Sequence, residues 1–141
     1  MVINRENALE MQDKFNIHDA FIKSISTDYE NQTIVVAFDY KVTFRTHAVK
    51  KKQRLTCKNG VYLESIVVGF WYGSPDIVNG HEFMTDNDKI ESLRELCKQS
   101  NNTSMADELS DYITIRISSI SGDTIKIVCK EAEFEEFDWP E

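Results

Sequence analysis

The chain has 141 residues, of which 41% are apolar and 28% are charged, and its formal net charge is −8. A chain of this length buries enough surface for one core without disulfides or metals, and its apolar share excludes a disordered acidic polymer. Five glycines and two prolines are too few for a collagen-like or linker-like chain. The composition therefore predicts one folded domain spanning residues 1–141.

The N-terminal part predicts a short helix followed by two strands. Asn4 is a suitable cap for a helix that reaches about Lys14. Residues 18–29 mix apolar and polar side chains as a half-buried strand does, and residues 33–44 alternate with the two-residue period of a strand. We expect a turn at Glu30-Asn31-Gln32, because Asn tolerates the left-handed backbone of a tight hairpin.

Two further strands are predicted on either side of a turn at Asn59-Gly60. Residues 49–58 are rich in Lys and Arg, which suits a strand at a sheet edge, where charge discourages pairing with other chains. Residues 61–72 are apolar on both faces, which predicts a central strand covered on both sides. Residues 73–84 are predicted to form a loop.

The C-terminal part predicts one helix and one hairpin. Over residues 86–100 apolar side chains recur every three or four positions, which predicts an amphipathic helix that covers a sheet. A polar loop follows at residues 100–104, and residues 112–120 and 124–134 alternate as two strands. Together the elements predict an α+β domain. It has an antiparallel sheet of about six strands, open or sandwich-like, the covering helix, and the short N-terminal helix.

Charge is unevenly distributed along the chain. Residues 41–58 contain seven basic residues and no acid, whereas residues 59–141 contain 17 acids against 6 bases. The acidic balance argues against a general nucleic-acid binder, because phosphate affinity comes mainly from Lys and Arg. A basic partner is favoured instead.

Two segments are candidates for recognition. The acidic C-terminal segment predicts contact with a protein partner through Glu133, Glu135, Glu136, Asp138 and Trp139. The basic strand offers an alternative patch for an acidic ligand or nucleic acid, formed by Lys50, Lys51, Lys52 and Arg54. The simpler interpretation is that both sets are solvated strand faces that serve solubility and edge protection.

Motifs for catalysis are missing from the sequence. The glycines never cluster into a phosphate loop or dinucleotide fingerprint. Cys57, Cys97 and Cys129 are too widely spaced for zinc or a disulfide framework, so we expect reduced, mostly buried thiols, with Cys57 in the most electropositive setting. The pair His18-Asp19 lacks the further ligands of metal-dependent phosphohydrolases. We predict no enzyme, no cofactor and no metal site; a hydrolase with a spatially assembled site is the further alternative.

The sequence predicts a cytoplasmic protein with no membrane partner. No apolar run approaches the roughly 20 residues that span a bilayer. A signal peptide needs an unbroken apolar stretch, whereas the first fifteen residues contain five charged ones. These are Arg5, Glu6, Glu10, Asp13 and Lys14.

Two segments resemble a known group of proteins. Residues 18–40, HDAFIKSISTDYENQTIVVAFDY, are similar to the opening hairpin of small bacterial proteins that begin with a His-Asp pair, some of which are immunity proteins of polymorphic toxin systems. Residues 118–137, SSISGDTIKIVCKEAEFEEF, are similar to the final hairpin of those proteins. The resemblance implies an α+β cytoplasmic protein that neutralises a cognate toxin by binding, with His18 and Asp19 as a structural family mark.

We therefore expect a non-enzymatic binding protein of the immunity type, whose acidic surface blocks a basic toxin domain. A small-ligand or nucleic-acid-binding module that uses residues 49–58 is the alternative. The sequence leaves the oligomeric state open, since a charged strand at a sheet edge can also pair across a two-fold axis.

Overall fold

A computed structural model describes residues 1–43, 45–67 and 76–138. Its strands are β1 (Val2–Asn4), β2 (Phe21–Asp28), β3 (Thr33–Thr43), β4 (Ala48–Lys58), β5 (Tyr62–Ile66), β6 (Asp76–Met84), β7 (Ile113–Ser119), β8 (Thr124–Cys129) and β9 (Glu131–Asp138). Its helices are α1 (Ala8–Lys14), α2 (Asp88–Gln99) and α3 (Thr103–Glu108), and a single 3-10 turn (Leu109–Asp111) follows α3.

The strands pair antiparallel in the order β1-β9-β4-β3-β2-β6-β7-β8-β5. The contact between β2 and β6 is narrow, because only Phe21 with Ile77 and Ile22 with Asp76 are paired. The sheet therefore divides into a first half, β1-β9-β4-β3-β2, and a second half, β6-β7-β8-β5.

Two segments of chain pass from one half to the other. β8 pairs with β7 and β5, and β9, which follows it after Lys130, pairs with β4 and β1. β4 and β5 make the same change of sheet around Asn59, whose φ is 53°. Strands that switch sheets at a bend form the corners of such packings, so the two halves face each other across one core.

The main core lies between the two halves. Residues Ile113, Ile115 and Ile117 of β7 are fully buried, and alternate positions on β3 and β4 meet them from the other half, including Val36 and Leu55. Their spacing of two residues places them on one face of each strand. Each such side chain contributes about 1.5–3 kcal/mol of transfer free energy when it is fully buried.

Helix α1 covers the part of β6 that β2 does not reach. The Gln12 side-chain amide donates from Nε2 to the carbonyl of His81 at 2.9 Å and accepts at Oε1 from the backbone N–H of Phe83 at 2.7 Å. The amide group thus stands in for the backbone of a neighbouring strand. Phe15 adds an edge-on ring contact to His81, with ring centroids 4.8 Å apart.

Helices α2 and α3 cover the outer face of the second half. Ile90 and Leu109 pack there against Val128 in a second buried cluster. Asn87 caps α2, since its Oδ1 accepts from the backbone N–H of Ile90 at 3.1 Å and also from the Thr114 hydroxyl at 3.0 Å. The cap therefore fixes the helix to β7.

The predicted α+β domain with about six strands and one covering helix is wrong. The described residues form a mostly antiparallel nine-stranded sheet with three short α-helices. The helix predicted over residues 86–100 forms as α2, and the N-terminal helix is confined to α1 because residues 2–4 pair with β9.

Three local features concealed the additional elements. In β6 the register shifts between Val78 and Gly80. The shift breaks the alternation of apolar and polar side chains that identifies a strand, which is why the sequence of residues 73–84 predicts a loop. β8 and β9 follow each other without a turn residue and resemble one strand. The polar segment at residues 100–104 includes the start of α3, whose cap is Asn102.

Two predicted strand positions are also wrong. Residues 49–58 lie in β4, between β3 and β9, and not at an edge. Within residues 61–72, β5 ends the strand order and pairs only with β8 among the described strands, and residues 68–72 lie outside the described residues. β5 is apolar on both faces because Tyr62 contacts the helices and Leu63 contacts the main core.

Candidate interaction surface

The basic strand and the acidic strand of the sequence are neighbours in the sheet. β4 carries five bases and β9 carries five acids, so the formal charges of the pair sum to zero. The register places Arg54 directly opposite Glu135 and Lys51 directly opposite Asp138. Opposite charges at facing positions stabilise a strand pair, which explains how a Lys-rich strand occupies the interior of a sheet.

Ion pairs join the two strands at three places. Arg54 Nη2 lies 3.1 Å from Glu135 Oε2, Lys58 Nζ lies 3.2 Å from Glu133 Oε2, and Lys51 Nζ lies 2.6 Å from Asp138 Oδ1. We call these three pairs the charge ladder. Most of the acids predicted to bind a partner and part of the basic patch therefore contact each other.

The contact between Lys51 and Asp138 shifts the pKa of both side chains. A hydrogen bond from the Lys51 ammonium, with its positive charge, lowers the pKa of Asp138 below its usual value. The same contact raises the pKa of Lys51. Each group therefore favours the ionised form of the other.

The Lys52 ammonium forms an ion pair with an acid of β3. Its Nζ lies 3.0 Å from Asp39 Oδ1, and Lys23 Nζ lies 3.7 Å from Asp39 Oδ2. The Asp39 side chain is only 7% exposed. A buried carboxylate is costly unless cations or donors compensate it, so the two lysines hold this acid in the sheet surface.

The other predicted residues lie at the end of this strand pair. Lys50 and Glu136 are exposed, and no ion pair among the described residues includes either one. Trp139 lies outside the described residues. The structure thus places the two predicted recognition segments side by side in the sheet, where their formal charges cancel.

Because β4 and β9 balance, the net charge of −8 comes from other residues. Residues 85–111, which we call the acidic helical layer, contain seven acids and three bases and therefore carry −4, half of the total. Asp107, Glu108 and Asp111 are exposed, and no ion pair within the described ranges includes them. The acidic helical layer is thus one source of the negative charge open to a partner; residues 1–40, with seven acids and three bases, carry another −4.

The negative charge of this layer affects the pKa of Tyr112. Its side chain is buried at the end of the 3-10 turn. Burial raises the pKa of Tyr112, and the nearby charges of Glu108 and Asp111 raise it further. Both effects oppose formation of another negative charge at this point.

A groove of about 610 Å³ opens between the acidic helical layer and the end of the β2–β3 hairpin. The helices contribute Leu93, Leu96 and Met105 to it, and the sheet contributes Ile34 and Leu63. Its volume lies in the range of ligand pockets, about 300–1,000 Å³. The sequence pattern places the leucines on the covering face of the helix but does not predict the groove, because the opposite wall comes from a distant hairpin.

In the described part of the chain, the histidines and cysteines do not gather into a cluster that could hold a metal ion. His18 Nδ1 lies 3.2 Å from Asp19 Oδ2 with both side chains exposed, and no cluster of three or more ligating side chains occurs among the described residues. Cys57 and Cys129 are fully buried, as predicted. Hydrogen bonding with Cys57 and burial together raise the pKa of the Cys129 thiol, so neither thiol is in an electropositive, accessible setting.

No helix among the described residues is long and apolar enough to cross a membrane.

The comparisons with known proteins identify no relative of this chain. No protein-family model, no curated protein and no solved structure matches the chain.

Proposed function

We propose that the protein is a non-enzymatic binding domain that recognises a basic protein partner, and that it is a cytoplasmic immunity-type protein which neutralises a toxin domain. The net charge of −8 and the resemblance of the two hairpins to immunity proteins support the proposal. The structural observation that carries it is the location of the charge. The charge ladder balances β4 against β9, and the acidic helical layer carries a net −4 on a surface with three exposed acids that form no ion pair among the described residues.

The physical role of this surface is to accelerate and orient association. An acidic patch opposite a basic partner raises the association rate and penalises partners of the wrong charge. Three exposed acids within five residues, Asp107, Glu108 and Asp111, provide such a patch beside an apolar groove. Apolar contacts in the groove then supply the area that slows dissociation.

Co-expression with the protein encoded next to this chain tests the proposal. We expect protection of the cells from that protein and a stable complex. The triple variant Asp107→Asn, Glu108→Gln, Asp111→Asn should associate more slowly and lose its salt dependence, because it removes the steering charge.

The matched control removes three acids from β9. The variant Glu133→Gln, Glu135→Gln, Glu136→Gln has the same net charge as the helical variant. It should associate nearly as fast as the wild type, because two of its acids already pair with β4. A neighbouring protein that is neither toxic nor bound would contradict the proposal, and so would equal slowing by both variants.

A further inference from the structure

The groove exposes apolar side chains to solvent. Leu96 is 58% exposed although it belongs to the apolar stripe of α2, and Tyr29, at the end of the hairpin, is 92% exposed. Large apolar side chains gathered at a concave site mark a place where another group is bound. Tyr is also enriched at the energetic centres of protein interfaces.

Among the described residues that line the groove, Asp28 alone is charged. Its Oδ2 accepts from Asn31 Nδ2 at 2.7 Å and its Oδ1 accepts from the Asn31 backbone N–H at 3.1 Å. These hydrogen bonds lower the pKa of Asp28, so the group is a carboxylate at neutral pH. No basic residue within the described ranges forms an ion pair with it.

Asp28 therefore has room for a cation. A carboxylate offers about four acceptor positions; Asn31 occupies two of them, and the backbone of Glu30 contributes a weaker contact. The neighbouring Glu30 is exposed and adds negative charge beside Asp28. A ligand with a positively charged group beside an apolar one complements both the negative charge of Asp28 and the apolar lining of the groove.

We propose that the groove binds a segment of the protein partner in which a Lys or Arg is flanked by apolar side chains. The apolar side chains lie between Leu93, Leu96 and Met105, and the cation pairs with Asp28. This inference rests on the proposed function, because it names the part of the basic partner that the acidic surface receives.

Three matched peptides test the chemistry of the groove. The probes are the acetylated amides of Leu-Lys-Leu, Leu-Glu-Leu and Leu-Gln-Leu, titrated into methyl-labelled protein and followed by NMR. We expect the Lys peptide to shift the methyl groups of Leu93, Leu96 and Met105 and to bind more tightly than the other two. Asp28→Asn should weaken it about two- to fivefold, the effect of one exposed ion pair.

Asp13→Asn on α1 is the matched control and should leave binding unchanged, since Asp13 is exposed on a helix that contacts β6 and β1. Leu96→Gln should weaken all three peptides. Methyl groups that do not shift, equal binding of the Glu peptide, or an unaffected Asp28→Asn variant would overturn the inference.

The partner assay separates this inference from the proposed function. A complex that forms with undiminished affinity in Asp28→Asn and Leu96→Gln overturns the groove as the docking site and leaves the acidic surface in place. Failure to find any complex, with the Lys peptide still seated in the groove, contradicts the proposed function alone.

Discussion

The energy of the charge ladder is open to direct measurement. Arg54 and Glu135 face each other with 3.1 Å between Nη2 and Oε2, and their side chains are 47% and 32% exposed. Two unit charges at that distance interact by about 1.3 kcal/mol in the dielectric of water. Side-chain entropy and screening reduce such exposed pairs, so we expect a coupling free energy of about 0.5–1 kcal/mol.

A double-mutant cycle isolates this coupling. It consists of the wild type, Arg54→Ala, Glu135→Ala and the double variant, with the free energy of unfolding measured by urea denaturation and circular dichroism. The Arg54 guanidinium also lies 5.0 Å from the centre of the Phe137 ring. That contact is lost in both backgrounds without Arg54 and therefore cancels from the cycle.

The control cycle uses Glu95 and Lys98 on α2, which are 3.6 Å apart and more exposed. Helical pairs of this kind contribute about 0.2–0.5 kcal/mol. At 1 M salt, where the screening length is about 3 Å, the Arg54–Glu135 coupling should fall markedly. A coupling indistinguishable from zero at low salt would refute the ladder and return Glu135 to the acids available to a partner.

Three further changes test how the fold is held. Gln12→Ala should destabilise the protein by about 1–3 kcal/mol and speed hydrogen exchange of the Phe83 amide, which loses its acceptor. Asn87→Ala should cost about 0.5–2 kcal/mol in urea unfolding, because the α2 cap is lost. Burial acts to raise the pKa of Asp76, but hydrogen bonds, including one from Ser121, outweigh it and leave the pKa lowered. Its stabilising contribution is therefore present above the pKa of the unfolded chain, about 3.9, and is lost as pH falls through the lower folded value. Acid titration of Asp76→Asn should show a smaller loss of stability over that range; an unchanged acid limb would contradict the assignment.

The periodicity of apolar side chains correctly predicts the strands and helices whose pattern is set by packing against one neighbouring layer. The alternation in residues 33–44 and the stripe over residues 86–100 correspond to β3 and α2. Elements whose form depends on distant residues were missed. The edge of β6 is satisfied by Gln12, which is 71 positions from Phe83 in the chain, and no local pattern announces that contact.

The same reason limits what the sequence says about the candidate site. It located the basic and acidic segments correctly and treated each as a separate surface. Their charges cancel only because β4 and β9 are neighbours, a pairing that joins residues about 80 positions apart. The blocks of charge at residues 49–58 and 131–138 are opposite in sign. This complementarity is the feature of the sequence from which the pairing of β4 with β9 could have been predicted.

The most direct measurement of where the negative charge lies is the electrostatic potential at individual backbone amides. Paramagnetic relaxation from a cationic and an anionic nitroxide of the same size reports that potential residue by residue. We expect a strong preference for the cationic probe at residues 103–111 and a much weaker one at residues 131–138. An equal or stronger preference at residues 131–138 would contradict the neutralisation of β9 by β4 and the placement of the partner on the helices.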